Sequence, residues 1–112
     1  AVDLKTTEDA SEREFSRTVH AYRYHVQAAM YLDGIEAVTG RRPDDFVFVV
    51  VEKKAPWLAA AYRLDERTLE LGRDLYRRDL RLIAECRASH AWPGYPEMIN
   101  TISLPAWAID KE

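Results

Sequence analysis

Apolar and polar residues alternate over Val2-Asp3-Leu4-Lys5-Thr6, the period of a strand with one covered face. Side chains two apart on a strand share a face, so Asp3 and Lys5 project together. After a short polar link, Ser11-Glu12-Arg13-Glu14 has the form of a capping box. Ser11 accepts from the Glu14 amide while Glu14 reaches back. A helix starting there carries Phe15 and Val19 inward. A second helical stretch, from about Arg23 to Thr39, ends at Gly40, a residue suited to a left-handed cap. Its projection puts Tyr24, Gln27, Ala28, Tyr31, Ile35 and Val38 on one face, with Asp33 and Glu36 toward solvent. Whether the two helices are continuous is left open by the pattern around Ala21 to Arg23.

Arg41-Arg42-Pro43-Asp44-Asp45 has turn chemistry, and Phe46 to Val51 is apolar at every position. Such a run predicts a central strand buried on both faces. Lys53-Lys54-Ala55-Pro56 makes the next turn, and Trp57 to Leu64 reads as a strand paired with the first as a hairpin. A long helix follows from about Glu66 to Ser89. Leu69, Leu71, Leu75, Tyr76, Leu80, Leu82, Ile83 and Cys86 cover half its circumference, and arginines and acids cover the rest. Asp79 falls inside the apolar arc, where a carboxylate requires a partner. The proline- and aromatic-rich tail after His90 is expected to pack irregularly over the body. The order β-α-α-β-β-α-tail predicts an α/β (α+β) fold, a small mixed sheet covered by helices.

Composition narrows this little. With 112 residues the chain is read as one domain, 1–112. At 47% hydrophobic and 31% charged it can bury a core, which excludes a disordered chain. No apolar run approaches the roughly 18 residues of a membrane span. One cysteine, Cys86, excludes an internal disulfide and is compatible with a cytoplasmic location. The net charge of −3 argues against a passive DNA coat, yet permits a nuclease, whose metal site needs carboxylates.

Phosphodiester hydrolysis at neutral pH calls for a divalent cation that polarises the phosphate and activates water. A strand carrying Asp-x-Lys sets a hard oxygen ligand beside an ammonium able to stabilise developing charge. Gln27 and Tyr31, four apart on one helix face, have the chemistry to contact a nucleotide. Each pattern alone is weak. A solvated strand face explains the first, and ordinary helix packing explains the second. Arg73, Arg77 and Arg81 form a basic stripe, but Glu70, Asp74 and Glu85 share that face, so a self-paired surface is the simpler reading.

The combination says more. Asp3-Leu4-Lys5-Thr6-Thr7 precedes a capped helix, then Tyr24-His25-Val26-Gln27-Ala28-Ala29-Met30-Tyr31-Leu32-Asp33-Gly34. Val51-Glu52-Lys53 ends a strand, and Trp92-Pro93-Gly94-Tyr95 and Leu104-Pro105-Ala106-Trp107 follow. Nearly the whole chain thus resembles the PD-(D/E)xK nuclease superfamily, in particular its RecE-like exonuclease VIII branch, and within it the C-terminal half of the nuclease domain. The resemblance implies a partial restriction-endonuclease-like core and an exodeoxyribonuclease that degrades double-stranded DNA from its ends, 5′ to 3′. It implies Mg²⁺ (or Mn²⁺) as cofactor, a toroidal homo-oligomer, a phage-type recombination setting and a single-strand annealing protein as partner. Asp3 is then a metal ligand, Lys5 the catalytic lysine, and Gln27 and Tyr31 organise the site or touch DNA.

The family pattern also places a metal-binding aspartate on a strand before Asp-x-Lys, with further acidic and histidine residues earlier. Only two residues precede Asp3 here, so the piece alone is expected to cleave DNA poorly or not at all. Two alternatives stand beside this reading: a non-catalytic DNA-binding or oligomerisation module of the same ancestry, and an unrelated α/β interaction domain.

Overall fold

The computed structural model describes residues 1–109. Strand β1 (Val2–Thr7) leads into helices α1 (Glu12–Tyr22) and α2 (Tyr24–Thr39), then β2 (Val47–Glu52), β3 (Ala59–Arg63), α3 (Glu66–Ser89) and a short α4 (Ala106–Ile109). The sheet runs β1-β2-β3, with β1 parallel to β2 and β2 antiparallel to β3. A parallel pair needs a crossover, and α1 with α2 supplies it. The expected mixed sheet and element order are both present, and β2 is central.

The alternation in β1 was right in period, but the apolar side is the uncovered one. Val2 and Leu4 are exposed, whereas Asp3 and Lys5 are half-buried on the face beneath the helices. Register explains this: Asp3 pairs with Phe48 and Lys5 with Val50, and Phe48 and Val50 are the fully buried centre of the core. The opposite face of β2 (Val47, Val49, Val51) is only partly shielded, so the expected double burial of this strand is not met. Trp57, at φ 62°, belongs to the turn, and β3 therefore begins at Ala59 rather than Trp57.

Ser11 caps α1 as expected, accepting from the Glu14 amide at 3.4 Å. The reciprocal half of the box is taken by a different residue, because Asp9 Oδ1 accepts from the Ser11 amide. The helices break at Arg23, whose φ of 58° ends α1 and starts α2. Phe15 and Val19 enter the core with Ala28, Leu32, Phe46, Phe48, Val50 and Leu69.

The buried stripe of α2 is His25, Ala28, Ala29 and Leu32, spaced i, i+3, i+4, i+7. Tyr31 and Val38, placed on the packed face from the sequence, are exposed. The physical reason is the closeness of α3, which packs against the first turn of α2. At Gly72 a Cβ would lie 2.2 Å from the His25 carbonyl oxygen. Gly72→Ala is therefore expected to push the helices apart and cost about 1–3 kcal/mol. Urea unfolding measures it, and an unchanged midpoint would show that the crossing relaxes freely.

Asp33 does not face solvent. It lies between α2 and α3, where it accepts from Arg73 Nε at 2.8 Å and Nη2 at 2.9 Å, and from Arg42 Nη1 at 3.0 Å. The Tyr76 hydroxyl also donates to it. Arg73, assigned from the sequence to a basic stripe, is buried in this cluster and also pairs with Glu70. Asp79 has the partners its position demanded, Arg23 at 2.9 Å and Arg78 at 3.0 Å.

Beyond this crossing the chain opens out. Leu80, Leu82 and Ile83 of α3 are exposed, as are Trp92, Tyr95, Ile99 and Ile102. The tail does not pack over the body as expected. The radius of gyration is 19.8 Å, against roughly 13 Å for a compact chain of this size. Among the described residues, no helix is long and apolar enough to cross a membrane.

Candidate active site

Strand β1 lies at the sheet edge with Asp3 and Lys5 turned toward α2. Two consequences follow from that placement. The pleat fixes how far apart the two backbones stand, and the helix above supplies their neighbours. Gln27, one turn into α2, accepts from Lys5 Nζ through Oε1 at 2.9 Å. This is the polar exception on the helix face, and its partner is the sheet ammonium.

Lys5 Nζ also stands 2.9 Å from Asp3 Oδ2. The approach is an ion pair without hydrogen-bond alignment, so this buried carboxylate oxygen has no hydrogen-bond donor. A carboxylate oxygen withdrawn from water and without a donor is suited to a hard cation such as Mg²⁺. Asp3 thus fits the role of a metal ligand. Among the described residues no cluster of three or more His, Cys, Asp or Glu side chains stands ready to hold a metal. The carboxylate would supply one coordination position to such a cation.

The ring of Tyr24 is a neighbour that the sequence placed only on the packed face of α2. Its centroid is 4.3 Å from Lys5 Nζ. Tyr24 and Gln27 are three apart and share a helix face, a spacing that signals adjacency but not what lies opposite. Tyr31 is less closely engaged. It is half-exposed, its ring centroid 6.3 Å from that of Phe46, and its hydroxyl makes no hydrogen bond among the described residues. Of the four residues singled out from the sequence, three meet directly, and Tyr31 lies further along the same helix.

A cleft of about 300 Å³ opens beyond the C-terminal end of β1, lined by Thr7, Glu8, Glu14, Thr18, Tyr24 and Lys53 among others. It reaches the Lys5 cluster through Tyr24. A second cleft of about 430 Å³ lies between α1, the end of β3 and the start of α3. Neither cleft has Asp3, Lys5 or Gln27 in its lining, and the first comes nearer to them only at Tyr24. His25 lines the second, and burial lowers its pKa from the ordinary histidine value.

The chain is similar in fold to a crystal structure from Eubacterium rectale described as "Putative exonuclease", at a TM-score of 0.63 and 13% identity. The match covers 98% of this chain but 45% of that one, so the chain spans less than half the neighbour's length. No curated protein matches it. A family model described as "PDDEXK-like domain of unknown function (DUF3799)" matches residues 1–105. That match removes the alternative of an unrelated α/β interaction domain, and the chain belongs to this PDDEXK-like family.

Proposed function

We propose that the full-length protein carrying this chain is a metal-dependent exodeoxyribonuclease and that Asp3, Lys5 and Gln27 belong to its catalytic centre. The observation that carries this reading is the Asp3–Lys5–Gln27 cluster. A donor-free carboxylate oxygen and an ammonium sit side by side on one strand of a PDDEXK-like fold.

Asp3 would hold Mg²⁺, which when bound polarises the scissile phosphate and lowers the pKa of its water. Lys5 would set its positive charge beside Asp3, to offset the negative charge a phosphate oxygen gains as the bond breaks. Gln27 holds that ammonium by accepting one of its protons, which limits the directions the remaining N–H groups can take. Tyr31, half-exposed and with no hydrogen bond to its hydroxyl among the described residues, is available to a nucleotide. Hydrolysis adds water across the P–O bond, leaving a phosphate on one product and a hydroxyl on the other.

The remaining metal ligands would come from other parts of the full-length protein. The resemblance to RecE-like nucleases supports double-stranded DNA ends as substrate, 5′-to-3′ polarity, a toroidal homo-oligomer and delivery of the exposed strand to an annealing protein.

The test uses the full-length protein with linear and covalently closed duplex DNA. Linear DNA is expected to be degraded in Mg²⁺ or Mn²⁺, with closed circles spared and chelation stopping the reaction. Equal attack on closed circles would replace the exonuclease by an endonuclease. Degradation that persists under chelation would remove the metal from the mechanism.

A further inference from the structure

The neighbours of Lys5 differ in what happens to them once Asp3 is engaged by a divalent cation. A carboxylate committed to a cation no longer neutralises the ammonium, and the cation itself repels Nζ. Gln27 and Tyr24 are neutral and keep their attraction for the ammonium in either state. The ring face is the negative pole of an aromatic quadrupole, and Nζ lies 4.3 Å from its centroid. The ring is not free to turn away. It stacks on Phe48 at 5.8 Å and 27° and on Tyr22 at 5.8 Å and 21°, and meets Phe15 at 6.2 Å. Tyr24 also follows directly on Arg23, whose left-handed backbone starts α2 at this point.

We infer that Tyr24 is a positioning residue for the Lys5 ammonium, acting through its ring face and not its hydroxyl. The inference rests on the proposed role of Lys5. A lysine on a flexible four-carbon stem needs such support to present one N–H group in a fixed direction. Gln27 takes one proton and the ring holds the charge from a second side, which narrows the directions left to the remaining N–H groups.

The experiment compares Tyr24→Phe and Tyr24→Leu in the full-length protein, with Lys5→Ala as reference. Tyr24→Phe keeps the ring and is expected to stay within about twofold of wild-type kcat. Tyr24→Leu is expected to lower kcat about tenfold with KM unchanged, the size of a lost cation–π contact. A second readout needs no activity. In protein labelled at lysine Cε, the Lys5 methylene signal, assigned by its loss in Lys5→Ala, is expected upfield from the Tyr24 ring current. It should stay there in Tyr24→Phe and on adding Mg²⁺, and return to the ordinary lysine position in Tyr24→Leu. Should Tyr24→Leu fail to fold, the wild-type and Tyr24→Phe signals decide the matter. An unshifted Lys5 signal in the wild type overturns the inference. So does a folded Tyr24→Leu with wild-type kcat, or a Tyr24→Phe as slow as Tyr24→Leu. If the wild type is active and Lys5→Ala inactive, such results remove the role of Tyr24 alone. A wild type inert with metal removes the proposed function and this inference with it.

Discussion

Lys5→Ala in the full-length protein is expected to lower kcat on linear duplex DNA by about 10²- to 10³-fold, the usual loss when one preorganised charge donor is removed. The fold should survive. Lys5 and Asp3 keep only 19% and 27% of their side-chain surface exposed, so removing the ammonium also costs stability, about 1–3 kcal/mol. Thermal unfolding beside the kinetics separates the two effects. Lys5→Arg is not expected to rescue the rate. A guanidinium is longer and spreads its charge over a plane, so it does not set a compact positive charge at the point where Nζ stands beside Asp3. A Lys5→Ala protein retaining more than about a tenth of wild-type kcat would mean the ammonium is a spectator.

Asp33→Ala is expected to carry the largest stability loss, about 3–5 kcal/mol, because it strands a buried guanidinium. The Arg73 side chain is 9% exposed, and Asp33 receives two of its hydrogen bonds. Urea unfolding is the measurement, and a loss under about 1 kcal/mol would show that Glu70 alone satisfies Arg73. The same residue imposes a pH dependence. The Arg73 guanidinium, with Tyr76 and Arg42 adding to it, holds the Asp33 carboxyl well below the usual carboxylate range against the opposing effect of burial. A group with a depressed folded pKa stabilises fully above its unfolded value, about 3.9, and loses that contribution as pH falls toward the folded one. The stability gap between wild type and Asp33→Asn should therefore be constant near neutrality and narrow below about pH 4. Burial, then the Asp33 carboxylate, push the Tyr76 hydroxyl up, so it remains a donor across this range.

Elements were easier to read than faces. Period-two alternation located β1, the capping serine located α1, and Gly40 located the end of α2, because each depends on local backbone chemistry. The Arg23 break was not legible, since left-handed backbone is usually marked by glycine or asparagine and here falls on arginine. Hydropathy placed Asp33 in water because a carboxylate is assumed to prefer it. Its partners Arg73 and Tyr76 lie some forty residues away, and only the helix crossing brings them near. For the candidate site, Asp3, Lys5 and Gln27 came from motif spacing, and the contact of Gln27 with Lys5 agrees with it. Tyr24 escaped notice because an inward aromatic on a helix has the same pattern whether it meets a valine or an ammonium.

Gly72 gives the strand pair and the helix above it different degrees of freedom. Asp3 and Lys5 are locked to each other by two peptide units, a spacing no distant substitution can stretch. Gln27 and Tyr24 are instead carried by α2, and the bare α-carbon of Gly72 lets α3 seat against the first turn of that helix. A methyl group there would act as a shim, tilting the amide and ring relative to the ammonium without touching any of them. The precision of the grip on Lys5 is thereby entrusted to a residue with no side chain at all.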